Sequence, residues 1–183
     1  MHRAKGNHGE YLAAAVMTGE LEQFVPKDAT APIPDAFDSE TNWPACAKIL
    51  GDVRDQSNCG CCWAFGGAEA ASDRMCIATK AALQMPISAE AVCFCSNPDG
   101  CQGGQINTPW TYIKNRGALT GGQYQGSGPF GNSSCSDFSL PHCHHHGPQG
   151  NDPYPAEGAP GCPAQQSAKG PTECDADAAA DHG

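Results

Sequence analysis

Apolar positions along the middle of this chain recur at the three- and four-residue spacing of helices. The clearest segment starts at the Cys61-Cys62 pair and runs toward Ile77. It is rich in Ala, free of Pro, and sets Phe65, Ala68, Ser72 and Met75 along one helix face. A second, shorter helix is expected from Ser88, whose hydroxyl stands as a cap just ahead of Glu90 and Ala91. A third has Thr108 as cap, Pro109 in its first turn, Trp110 and Ile113 turned inward, Lys114 and Arg116 in its last turn, and Gly117 as terminator. Three helices bounded by loops predict a mainly α-helical unit.

The pattern divides the chain unevenly. Residues 1–32 are polar with weak periodicity and read as a leader and linker. Residues 33–125 hold the aromatic anchors Trp43, Trp63 and Trp110 and most of the apolar periodicity, so the fold is expected there. From 126 to 174 Gly, Pro, Ser, Cys and His prevail, and residues 175–183 are an Ala, Asp and Gly tail expected to be disordered.

Composition narrows the class. The 183 residues include 22 Gly and 15 Pro, together about a fifth against roughly 12% in average proteins, so loops should dominate. Twelve cysteines point to a disulfide framework in an oxidising compartment. Twenty acidic against ten basic residues give a formal net charge of -10, which repels phosphate backbones and anionic lipid. Nucleic acid is therefore not an expected partner. No stretch reaches the ~20 apolar residues of a membrane span. Residues 1–20 offer only the short apolar run 12–17, less than a secretory signal requires.

The chemistry concentrates in Gln56-Ser57-Asn58-Cys59-Gly60-Cys61-Cys62-Trp63-Ala64-Phe65. This stretch resembles the papain family, whose nucleophile signature is cysteine, glycine, a small residue, the reactive cysteine and an aromatic, with an oxyanion-hole glutamine six residues upstream. Ile33-Pro34-Asp35-Ala36-Phe37-Asp38 resembles the mature N-terminus, and Cys101-Gln102-Gly103-Gly104 the glycine strip that binds substrate. Leu140-Pro141-His142-Cys143-His144-His145-His146 is similar to the occluding loop of the cathepsin B branch. The resemblance covers roughly residues 33–174. It implies an α+β papain-like fold of which only the helical left domain is substantially present, with the β-rich right domain largely missing.

The resemblance also implies roles. Cys62 is the expected nucleophile and Gln56 the oxyanion-hole donor. Gly60, Trp63, Gly103 and Gly104 are expected to bind substrate, and His145 and His146 to grip a substrate's C-terminal carboxylate. The expected bridges are Cys46–Cys76, Cys59–Cys101, Cys143–Cys162 and Cys93–Cys174, leaving Cys61, Cys62, Cys95 and Cys135 unassigned. Residues 1–32 resemble the end of a propeptide. Partners are peptide or protein substrates and propeptide or cystatin-like inhibitors; no cofactor or metal is expected. Location is lysosomal, vacuolar or secreted. Asn132-Ser133-Ser134 is an N-glycosylation acceptor pattern.

A free thiol titrates near 8.5 and a papain-type nucleophile at roughly 3–4, a difference of ~7 kcal/mol. A helix N-terminus supplies at most ~2 kcal/mol of it, so an imidazolium must supply most of the rest. In the papain family that histidine lies about 130–150 residues beyond the nucleophile, past Gly183. The histidines present are His2, His8, His142, His144, His145, His146 and His182, none in the apolar, Gly-flanked context of a catalytic base. The isolated chain is therefore expected to lack appreciable peptidase activity. Two other classes stay open: a thiol–disulfide oxidoreductase using the C-x-x-C of Cys59 and Cys62, and a Cys/His metal module using Cys93, Cys95 and the histidine run. A catalytically dead, protease-like binding protein is a third.

Overall fold

The structure is a computed structural model that describes residues 30, 32, 34–143 and 161–175. Short helices α1 (Ser39–Asn42) and α2 (Ala47–Leu50) precede the long α3 (Cys62–Ala78), then α4 (Ala89–Ser96) and α5 (Thr108–Arg116). Single 3₁₀ turns lie at Pro44–Cys46, Gly100–Gln102, Tyr124–Gly126 and Gly131–Ser133. Among the described residues no strand ladder forms, although Ile87 and Thr120 make an isolated antiparallel bridge. No helix among them is long and apolar enough to cross a membrane.

Helices α3, α4 and α5 pack around one core. Trp63, Phe65, Ala68 and Ala71 of α3 meet Val92 and Phe94 of α4, and Phe138 fills the space between them. Its ring lies edge-on to Phe65 at 4.9 Å and stacks on Phe94 at 6.1 Å. Met75 does not join this face and is 40% exposed. Ten residues beyond Phe65, a helix has rotated about 80° away from the starting face. Its neighbour Cys76 is buried instead, in a second cluster with Cys46, Ile49 and Phe130.

Ser88 caps α4 as expected: its Oγ accepts the Ala91 N–H at 3.1 Å and donates to Ser136 O at 2.9 Å. In α5 the cap position falls on Asn107, one residue before the expected Thr108, and Pro109 occupies the first turn. Pro109 determines which side of α5 turns inward. A Cβ on Gly67 of α3 would lie 2.3 Å from Pro109 Cβ, so the glycine lets the two helices touch there. Tyr112 and Ile113, three and four residues on, then face the core. Trp110, expected to point inward, is a quarter-turn away and 40% exposed, under the Arg74 guanidinium. Trp43 is also a surface residue, edge-on to Phe37 at 5.5 Å.

The charged loop before α3 contains a buried cation. Arg54 has 1% side-chain exposure; its Nη1 donates to Ile87 O at 2.8 Å and Gly121 O at 3.3 Å. Its Nε lies 3.4 Å from Asp52 and 3.6 Å from Glu69. Burial raises the pKa of Asp52, Glu69 and Asp73, and the Arg54 charge opposes that rise at each. One guanidinium thus ties the loop to the segments before α4 and after α5.

Five disulfides join ten of the twelve cysteines: Cys46–Cys76, Cys59–Cys101, Cys61–Cys93, Cys135–Cys174 and Cys143–Cys162. The expected Cys93–Cys174 bridge is not formed. Cys93 lies in the middle of α4, turned into the core toward Cys61 at the start of α3, whereas Cys174, near the end of the 161–175 segment, reaches Cys135 in the loop after the Gly131–Ser133 turn. Cys62 and Cys95 are the free thiols, both exposed.

Candidate active site

Cys62 is the first residue of α3, where backbone N–H groups have no intrahelical acceptor and the helix dipole is positive. Its thiol is exposed while those of its neighbours Cys59 and Cys61 are buried in bridges. The alternation follows from the turn into the helix: Cys61 faces α4 as the N-cap, and the next side chain projects outward. Cys62 and Cys59 do not form a C-x-x-C pair, because Cys59 is bonded to Cys101.

The loop leading to Cys62 is held closely. Gln56 Nε2 donates to Cys59 O at 2.7 Å, and the Cys61 N–H donates to the same oxygen at 2.8 Å. Asp55 Oδ1 accepts the Ser57 N–H at 2.5 Å, and its Oδ2 lies 3.1 Å from His142 Nε2. His142 stacks on Tyr124 with ring centroids 4.5 Å apart. Among the described residues, therefore, the histidine next to this loop is engaged with Asp55 and not with Cys62.

The Cys101 side of the site is tied to the same loop. Gly60 N–H donates to Cys101 O at 2.9 Å alongside the Cys59–Cys101 bridge. Gly103 has φ 95°, in the left-handed region, and its carbonyl accepts Asn97 Nδ2 at 3.2 Å. Gly104 rests on the Trp63 indole: a Cβ there would lie 2.4 Å from the ring. Trp63 is 4% exposed and donates Nε1–H to Gly100 O at 3.2 Å. Trp63 was expected beside the substrate; its ring is buried beneath the strip and supports it from below.

This support is testable by a pair of substitutions. Gly104→Ala is expected to destabilise the fold by about 1–3 kcal/mol, as overpacking against a buried ring does. Gly66→Ala, whose Cβ would meet nothing within 4 Å on the exposed side of α3, is expected to stabilise by roughly 0.5–1 kcal/mol. Thermal unfolding of the two variants is expected to shift in opposite directions, and a Gly104→Ala midpoint at or above that of the unsubstituted chain would remove the support assigned to Trp63.

Sequence reasoning missed the strap that crosses this loop. In the 161–175 segment, Cys162 O accepts Asn58 Nδ2 at 2.8 Å, Gln165 N–H donates to Asn58 O at 2.8 Å, and Ser167 Oγ accepts Cys101 N–H at 3.0 Å. Nothing in the local pattern of Asn58 or Ser167 announces a partner over sixty residues away. Of the metal-module groups, Cys93 is buried in a bridge while Cys95 is exposed, its Sγ 3.8 Å from Pro171 O. His145 and His146 lie outside the described residues. Asn132 is exposed in the 3₁₀ turn Gly131–Ser133.

Comparison with known proteins agrees with this arrangement. The sequence profile of the papain family cysteine proteases matches residues 33–178. Cathepsin B-like cysteine proteinase 6 of Caenorhabditis elegans is 42% identical over 132 residues, covering 70% of this chain and 33% of that protein. Cathepsin B-like cysteine proteinase 4 of the same organism is 46% identical over 113 residues, covering 61% of this chain and 32% of its own length. The chain thus spans about a third of these relatives. In structure it is similar to procathepsin B S9 from Trypanosoma congolense, with TM-score 0.58 and 25% identity over 85% of this chain and 42% of that one. An exposed free cysteine at the head of α3, a glutamine in the loop before it and a glycine strip carried on a buried tryptophan accompany a family match over most of the chain: the protein belongs to the papain family of cysteine proteases.

Proposed function

We propose that this chain is the nucleophile-bearing part of a cathepsin B-type peptidase, acting on peptides and proteins by endopeptidase and dipeptidyl carboxypeptidase cleavage. The observation that carries this reading is the exposed Cys62 thiol at the head of α3, free among ten bridged cysteines. In the reaction the Cys62 thiolate attacks the scissile carbonyl and forms an acyl-enzyme, which water hydrolyses. The Cys62 backbone N–H and the Gln56 carboxamide stabilise the oxyanion, where losing a single donor typically costs ~10²–10³ in rate. Gly60, Gly103 and Gly104 let an extended substrate approach the backbone, and His145 and His146 hold its C-terminal carboxylate.

Residues 1–32 act as propeptide remnant and linker, 33–125 as the helical nucleophile-bearing domain and 126–174 as an occluding-loop region, with Asn132 glycosylated. The compartment is lysosomal, vacuolar or secretory, and cystatin-like proteins are candidate inhibitors. His142, the histidine among the described residues, is paired with Asp55, which supports the view that the 183 residues alone turn over no substrate.

The reading is tested by treating the purified chain with an epoxysuccinyl peptide at mildly alkaline pH, where free thiols are substantially ionised. A single adduct on Cys62, absent from Cys62→Ala, is expected, together with no hydrolysis of an Arg-Arg fluorogenic substrate. Equal adducts on Cys62 and Cys95 would remove the support for a substrate-shaped site. Steady hydrolysis lost in Cys62→Ala would refute the inactivity of the isolated chain.

A further inference from the structure

The Cys61–Cys93 bridge touches the nucleophile's helix at its first turn, and the chemistry above makes no use of it. Cys61 is the N-cap of α3: its carbonyl accepts the N–H groups of Ala64 at 2.9 Å and Phe65 at 3.1 Å. A capping residue ordinarily also offers a side-chain oxygen to the first turn. Cys61 makes no such bond, since its sulfur is bonded to Cys93 in the middle of α4, and both residues are fully buried. The sulfurs of Cys59, Cys61 and Cys93 lie within 4.8 Å of one another, so this bridge runs beside Cys59–Cys101. It also packs beneath Gly100, where a Cβ would lie 2.5 Å from Cys93 Sγ and whose carbonyl receives the Trp63 indole N–H.

We propose that Cys61–Cys93 is a positioning cross-link for Cys62, standing in for the missing capping side chain and fixing the first turn of α3 to α4. The proposal rests on reading Cys62 as the nucleophile. On one side of Gly60, Cys59 is tied to the glycine-strip segment; on the other, Cys61 is tied to α4. The two bridges together hold the exposed thiol at a set place relative to Gln56 and to Gly103–Gly104. Without the second, the Cys61 cap keeps only its backbone bonds, and the first turn, still held by the Trp63 indole and its bond to Gly100 O, frays more readily. Displacements of about 1 Å at a reacting group can cost on the order of 10²-fold.

The test removes both cysteines together. A lone thiol at either position would sit within 4.8 Å of a neighbouring sulfur and could attack the Cys59–Cys101 bridge, forming a new disulfide and releasing Cys101 as thiolate. In Cys61→Ala with Cys93→Ala, mass mapping should find the other four bridges intact. Amide exchange at Ala64 and Phe65 should accelerate roughly tenfold more than at Ala71 and Val92. Epoxysuccinyl-peptide labelling of Cys62 should fall about tenfold or more, while iodoacetamide labelling of Cys95 stays within about twofold. Replacing Cys61 with Ser in the same background returns a capping oxygen and should recover part of the Ala64 and Phe65 protection.

Exchange that accelerates uniformly over α3 and α4, or not at all, overturns the proposal and leaves the bridge an ordinary stabiliser. If the wild-type chain takes no epoxide on Cys62, the protease reading of the site fails, and the exchange ratio alone decides the positioning role. Should the double alanine variant not fold, Cys61→Ser with Cys93→Val fills more of the buried volume, and the same ratio is read from it.

Discussion

Full reduction of the five disulfides is expected to unfold this chain at neutral pH without denaturant. The bridges close loops of 30, 42, 32, 39 and 19 residues, each worth about 3–4 kcal/mol in the chain-entropy model. Overlapping loops do not add simply, yet a domain's whole stability is only about 5–15 kcal/mol. The core gives a second reason. Eight of its buried apolar residues are cysteines and five are alanines, so few large side chains remain to hold α3 against α4 once the cross-links are gone. Far-ultraviolet circular dichroism before and after a dithiol reductant, with dye binding to exposed apolar surface, reads the change. Helicity retained in the fully reduced, alkylated chain would show that apolar packing alone suffices.

The same small core explains what the sequence could and could not disclose. The three main helices were legible because their signals are local: an Ala-rich, Pro-free run for α3, a capping Ser88 for α4, Pro109 and Gly117 at the ends of α5. Trp110 was misread because the inward face of α5 is decided by where Pro109 meets Gly67, a tertiary contact with no trace in α5 itself. The partner of Cys93 was misread for a related reason: which sulfur a cysteine reaches depends on how α3 and α4 cross, and sequence spacing does not encode that crossing. In the site, the motif around Cys62 and Gln56 was visible as a short contiguous pattern. The Asp55–His142 pair and the Asn58 strap join residues far apart in the chain, and nothing in the local sequence of either partner points to the other. Arg54, buried in the charged loop before α3, is the largest such miss.

Replacing Arg54 with Met is expected to cost about 3–5 kcal/mol at neutral pH, the usual loss when one partner of a buried ion pair is removed. The variant leaves Ile87 O and Gly121 O without their donor and Asp52, Glu69 and Asp73 without their shared cation. The pH dependence separates this cause from a loss of packing. All three carboxylates already have pKa values raised by burial against the pull of Arg54; Lys48 also faces Asp52 and Arg74 faces Asp73. With Arg54 gone the values rise further. A group whose folded value is raised contributes stability that is complete below its unfolded value and is lost as pH climbs through the folded one. The variant's deficit should therefore be greatest at neutral pH and shrink as the pH falls toward the ordinary carboxylate range near 4, where the three groups become neutral and need no cation. Urea unfolding of wild type and Arg54→Met at pH 7 and near pH 4.5 measures both deficits. Equal deficits at the two pH values would place the role of Arg54 in packing and backbone hydrogen bonds, with no share for the carboxylates.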